Sequence, residues 1–93
     1  MKYENYLLIK LAEEAAEVAQ AAIKCSLFGY DQKDPRETDG ETNMVKLQKE
    51  LLDMAAVLRE LDMSWDNSLE AEYVASKRKK LNYYYDVISK SST

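Results

Sequence analysis

Histidine is absent from this 93-residue sequence, and cysteine, proline, tryptophan and phenylalanine each occur once. Without histidine the chain cannot build the usual zinc-hydrolase site, a di-iron bundle of the Glu-x-x-His kind or histidine acid/base catalysis. One cysteine, Cys25, closes no internal disulfide and reads as a small buried apolar residue. No apolar run approaches the roughly 20 residues that cross a bilayer, so no membrane span is expected. The start MKYENYLL lacks the basic-then-apolar layout of a signal peptide, which makes the cytoplasm the expected compartment. An excess of positive charge is also missing. The net charge is −4 with acids and bases interspersed, so a surface for a nucleic-acid polymer is not expected. Lys77-Arg78-Lys79-Lys80 is the local exception.

Glycine and proline are scarce, and Gly29, Pro35 and Gly40 fall in one stretch, so the chain punctuates itself once. Residues 26–41 are read as the main loop. Before it, residues 3–25 carry helix formers with apolar residues three and four apart, and LAEEAAEVAQAA has almost no β-branched content. The apolar stripe runs Leu7, Leu11, Val18, Ala22. After the loop, Thr42 or Asn43 can cap a helix through residue 62 with the stripe Leu47, Leu51, Met54, Leu58, Leu61. Ser64 or Asp66 then restarts a third helix to about residue 89. It would turn Leu69, Tyr73, Leu81, Tyr84 and Ile88 inward and use Trp65 as a staple at its start, with a break near Asn82 allowed. The tail SKSST is expected to fray.

The expected fold is therefore all-α: a single domain over residues 1–93, a bundle of about three to four helices completed by homo-oligomerisation. A chain of this size buries only about two-thirds of its unfolded surface, so packing against another copy, as dimer or tetramer, gains it much. Tyr83, Tyr84 and Tyr85 are consecutive and cannot all face one core. At least one of them is expected to meet a partner subunit, a ligand or water.

Acids interrupt both leading stripes. Glu14 falls between Leu11 and Val18, and Glu50 between Leu47 and Met54. Each has a second acid three residues on, Glu17 and Asp53, on the same helix face. The spacing alone carries little: four acid pairs occur at i,i+3, against roughly three expected by chance at this acid frequency. Intrusion into apolar stripes on two separate helices is the stronger signal, since a solvated face would not place acids there. Ionised carboxylates facing a core need a metal, a buried base or shifted pKa values. An all-carboxylate cage suits a hard cation, Mg²⁺ or Mn²⁺, and Mg²⁺ takes substrate phosphate oxygens in its remaining positions. Lys77 occupies the third helix's stripe between Tyr73 or Val74 and Leu81, with Lys80 nearly beside it. Such cations would suit the remaining charge of a triphosphate, although lysines snorkelling to solvent give the same pattern.

The segment Ile9-Lys10-Leu11-Ala12-Glu13-Glu14-Ala15-Ala16-Glu17-Val18-Ala19-Gln20-Ala21-Ala22, continuing to Lys24 and Phe28-Gly29, resembles the first helix of MazG-like nucleotide pyrophosphohydrolases, particularly short phage-type members. Glu-Glu-x-x-Glu followed by Glu-x-x-Asp is that family's motif, matched here by Glu13-Glu14-Ala15-Ala16-Glu17 and Glu50-Leu51-Leu52-Asp53. Lys77, Lys80 and Tyr84 resemble its third-helix element. The resemblance implies an all-α fold and Mg²⁺-dependent hydrolysis of a nucleoside triphosphate between the α and β phosphorus atoms. By matching position, Glu14, Glu17, Glu50 and Asp53 would hold the metal. Lys77, Lys80 and Tyr84 would bind substrate, the lysines on the leaving pyrophosphate. Glu13 would be the catalytic residue, orienting the attacking water or accepting a hydrogen bond behind the metal ligands, unless it is only a helix-surface residue.

Two other readings share these residues. One is a related enzyme acting on a phosphoribosyl nucleotide of histidine synthesis, which needs the same cage. The other is a non-catalytic helical interaction protein whose acids pair with lysines across an oligomer interface.

Overall fold

The computed structural model describes residues 1–91. It is all-helical, with α1 Tyr3–Phe28, α2 Asn43–Glu60 and α3 Asn67–Ser91. The chain divides into two compact units, one spanning Met1–Met63 and the other beginning at Ser64.

In the first unit α1 and α2 pack as an antiparallel hairpin. Asp53 lies beside Glu14, Glu50 beside Glu17, and the Asn43 side chain donates to the Gly29 carbonyl at 2.9 Å, so position numbers fall along α1 as they rise along α2. Leu7 is buried, and Leu11, Glu14, Val18 and Ala21 follow it half-buried along the α1 seam. On α2 the seam is Asn43, Leu47, Glu50, Met54, Val57, Leu58 and Leu61. Both expected stripes hold except at one position each: Ala22 and Leu51 are exposed, and Ala21 and Glu50 take the seam beside them. A 3.6-residue repeat lets adjacent positions compete for the same turn, and the partner helix decides.

The helix ends have local causes. Thr42 accepts a hydrogen bond from the Val45 amide at 3.3 Å and caps α2. At the end of α1, Gly29 has φ 105°, its amide bonds the Cys25 carbonyl at 3.1 Å, and a Cβ there would lie 2.7 Å from Gln32 Cγ. Only glycine is unstrained in that position. α2 stops at Glu60, two residues earlier than expected. The Met63 amide reaches the Leu58 carbonyl and the Asp62 amide the Arg59 carbonyl, both at 3.0 Å, with Asp62 at φ 56°. This is a Schellman ending with an aspartate in the left-handed position usually given to glycine.

Between α1 and α2 the loop closes at its base. The Asn43 amide bonds the Gln32 carbonyl at 2.8 Å, the Met44 amide bonds the Tyr30 carbonyl at 3.0 Å, and Lys33 pairs with Thr42 in an isolated antiparallel bridge. Asn43 is only 4% exposed. The base of the loop is thus held by backbone bonds at the start of α2 and by one buried amide side chain beside them.

In the second unit Asp66 caps α3, accepting from the Leu69 amide at 2.8 Å and the Ser68 hydroxyl at 2.6 Å. These bonds hold its carboxyl below the usual carboxylate range, the Ser68 hydroxyl first and the Leu69 amide next. α3 continues through Asn82 without a break, and it keeps helical form to Ser91 where fraying from Ser89 was expected; Ser92 and Thr93 lie outside the described residues. Leu69, Tyr73, Leu81, Tyr84 and Ile88, expected to face inward, are all exposed in the chain, as are Tyr83 and Tyr85.

Among the described residues, Leu7 is the one buried apolar side chain, and no helix is long and apolar enough to cross a membrane.

Candidate metal centre

The antiparallel register brings the acids together. Carboxylate oxygens of Glu14, Glu50 and Asp53 lie within 4.8 Å of one another. Oε2 of Glu14 and Oε2 of Glu50 are closed off from solvent with no hydrogen-bond partner. Glu17 adds a fourth carboxylate from the turn above Glu14 and is within hydrogen-bonding reach of both Glu14 and Glu50. Each pair sits where i,i+3 spacing on its own helix directs it, and the hairpin supplies the convergence.

Crowding shifts the acids as physics requires. The Glu50 carboxyl is raised above its ordinary value, first by the Glu17 carboxyl placed to share a proton with it, then by burial, then by the charges of Glu17, Asp53 and Glu14. Glu14 is raised by burial first, then by the charges of Glu17 and Asp53. Two carboxylates share a hydrogen bond only through a proton, so the cluster needs either a proton or a cation between its members.

A divalent cation fits this donor set. Opposite ligands of octahedral Mg²⁺ stand about 4.2 Å apart, and those of a larger oxygen-bound cation such as Ca²⁺ about 4.8 Å. Three oxygens spread over no more than 4.8 Å can therefore close on one such ion with little movement. The two partnerless oxygens are acceptors, and a cation between them would also offset the crowded negative charge, which a water would not. With oxygen donors alone and no histidine or thiolate among them, the set favours a hard cation over a transition metal that prefers nitrogen or sulfur.

The remaining expected residues lie elsewhere. Glu13 is exposed and paired with Lys10 at 3.0 Å, so the acid cluster assembles without it. Lys77, Lys80 and Tyr84 are exposed residues of α3, in the second unit. Cys25 is a half-buried free thiol.

A feature the sequence reading missed adjoins the acids. A cavity of about 430 Å³ opens from Glu17 and Glu50 towards the loop, and Lys24, Lys46 and Lys49 line it together with Gln20 and Asn43. Glu37, Asp39 and Glu41 of the loop line its other side. Lys46 is ion-paired with Glu37 and, at 3.3 Å, with Asp39, and Lys49 is ion-paired with Glu41. The signal was present in the helical spacing: Lys24 stands two turns beyond Glu17, and Lys46 one turn before Glu50. Only the antiparallel register puts these two turns side by side. Comparison with protein-family models, with curated proteins and with solved structures gave no match.

Proposed function

We propose that the protein is a metal-dependent nucleotide pyrophosphohydrolase, converting a nucleoside triphosphate and water to the monophosphate and pyrophosphate. The observation that carries the reading is the convergence of Glu14, Glu50 and Asp53 from two helices, with two buried oxygens that lack a partner, beside a lysine-lined cavity. The resemblance to MazG-like enzymes supports it on the same acids.

In this reading Glu14, Glu50 and Asp53 hold the cation, Mg²⁺ or Mn²⁺, with Glu17 beside them. A bound divalent cation supplies charge stabilisation on the phosphoryl oxygens. Water attacks the α-phosphorus, the new P–O bond forms as the bond to the bridging oxygen breaks, and pyrophosphate leaves with that oxygen. Glu17, exposed at the edge of the cluster, accepts the proton the water gives up. A part for Lys77, Lys80 and Tyr84 in substrate binding rests on the resemblance alone. Glu13 would act only after leaving Lys10. No covalent nucleophile is required, and the cytoplasm, where nucleotide pools reside, is the proposed setting.

Homo-oligomerisation belongs to the same proposal. One buried apolar side chain among the described residues is far too little core, while Tyr3, Tyr6, Leu8, Ile9, Leu52 and the apolar residues of α3 stand exposed. The same exposure favours, as a second reading, a helical interaction protein whose acids meet lysines of another copy. A screen of ribo- and deoxyribonucleoside triphosphates with Mg²⁺, read with and without added inorganic pyrophosphatase, separates them. We expect phosphate only when the coupling enzyme is present, and loss of nearly all turnover in Glu50→Gln. Phosphate without the coupling enzyme would show cleavage at another bond and refute the pyrophosphohydrolase, and no turnover of any nucleotide would leave the interaction protein as the better account. Including a phosphoribosyl nucleotide in the screen tests the related enzyme.

A further inference from the structure

The cavity beside the acid cluster is chemically self-occupied. Five carboxylates and three ammonium groups line it, an excess of negative charge that would repel a phosphate chain. Three of those carboxylates, Glu37, Asp39 and Glu41, belong to the loop, and they are the groups that hold Lys46 and Lys49. With these three withdrawn, Lys24, Lys46 and Lys49 outnumber Glu17 and Glu50, even before a cation on the acid cluster is counted.

The loop is built so that its tip can leave while its base stays. The base is fixed by the Asn43 side chain, the Gln32 and Tyr30 carbonyls and the Lys33–Thr42 bridge. The tip is braced within itself: Asp34 accepts from the Arg36 side chain and amide at 2.9–3.0 Å, and Asp39 accepts from the Glu41 amide at 3.0 Å. It reaches α2 through the ion pairs to Lys46 and Lys49. Gly40, at φ 73° with open space where a Cβ would stand, gives it a pivot beside those acids. Glu37 and Asp39 are themselves about two-fifths exposed, so the tip keeps water access on its outer side.

We propose that Lys24, Lys46 and Lys49 form a polyphosphate subsite adjoining the acid cluster, and that Glu37, Asp39 and Glu41 occupy it as stand-in anions until a phosphate chain displaces them. The inference rests on the reading of the site as one for triphosphates. It makes the loop a competitive latch: carboxylates and phosphate oxygens are alternative acceptors for the same ammonium donors, and phosphate brings more charge per contact. Lys46 is the centre of the exchange because two loop acids meet on it.

Inorganic tripolyphosphate is the probe, titrated by calorimetry into the full chain in Mg²⁺ buffer. The loop variant E37Q/D39N/E41Q should bind it about tenfold more tightly than the parent, the size expected for ion pairs of this exposure. Lys46→Met should abolish the binding. A second measurement needs no variant: hydrogen–deuterium exchange over residues 36–41 of the parent should quicken when tripolyphosphate is added, because the tip loses its hold on α2. No binding by the parent, a loop variant no tighter than the parent, or exchange that slows with ligand would each overturn the latch. If nucleotides release pyrophosphate while the loop variant fails to tighten, the latch is wrong and the enzymatic reading stands. If tripolyphosphate displaces the loop but no nucleotide is hydrolysed, the latch stands and the enzymatic reading falls.

Discussion

Replacing Asn43 with alanine should be among the most damaging single changes in the first unit. Asn43 is buried, its Nδ2 donates to the Gly29 carbonyl at 2.9 Å, and that carbonyl belongs to the glycine that ends α1. Alanine leaves the carbonyl without this donor and opens a small void between the ends of two helices. Losing one partner of a buried hydrogen bond costs about 1–3 kcal/mol. For a domain of this length that corresponds to a fall in Tm of roughly 5–20 °C. Thermal melts by circular dichroism, at one fixed protein concentration because association also moves Tm, measure it directly. Asn43→Asp, similar in shape but without the donor, should lose about as much, since a carboxylate would face the Gly29 carbonyl oxygen. A Tm unchanged in both variants would refute the view that this amide holds the loop to the hairpin.

Other outcomes follow from the acids and the helix ends. Glu14 and Glu50 have folded-state pKa values above the ordinary 4.5, so the folded protein binds protons more tightly than the unfolded chain between those values. Without added metal, stability should therefore fall as pH rises from about the unfolded value through the raised ones. Mg²⁺ should offset this loss increasingly over the same window, and a metal-free Tm that climbs steadily from pH 4.5 to neutrality would contradict it. Asp34 and Asp66, held below their ordinary 3.8 by Arg36 and by Ser68 respectively, give the opposite slope at more acid pH, where their contribution is lost as pH falls. Asp62→Gly should stabilise the chain by about 0.5–1 kcal/mol, because it relieves a left-handed non-glycine residue at the end of α2; a lower Tm would show that Asp62 makes a contribution beyond its backbone angle. Equilibrium sedimentation should find dimers or tetramers at micromolar concentration, and a monomer that melts cooperatively would contradict the packing argument.

The helices were legible because glycine and proline cluster between Gly29 and Gly40, leaving long uninterrupted stretches on either side with apolar residues at helical spacing. The buried acids were legible for the same reason: Glu14 and Glu50 stand on seams where the repeat calls for apolar residues, and both are half-buried there. The end of α2 was not, because Leu61-Asp62-Met63 contains no glycine to announce the left-handed turn that Asp62 makes. Lys24, Lys46 and Lys49 look like ordinary surface lysines in one dimension. Their significance depends on two facts a single helix does not carry, the antiparallel register and the course of the loop. The exposed apolar residues of α3 carry a strong pattern in sequence, and the second unit by itself gives that pattern no core to serve.

The claim on which the rest depends is that Glu14, Glu50 and Asp53, with Glu17 beside them, hold a divalent cation. Mn²⁺ titrated by calorimetry into the parent and into E14Q/E17Q/E50Q/D53N, with a non-hydrolysable triphosphate present and both proteins shown folded by circular dichroism, tests it. The account predicts saturable binding by the parent and binding weaker by about a hundredfold or more in the variant, since every charged donor of the cage is gone. Equal affinity in the two proteins would contradict it.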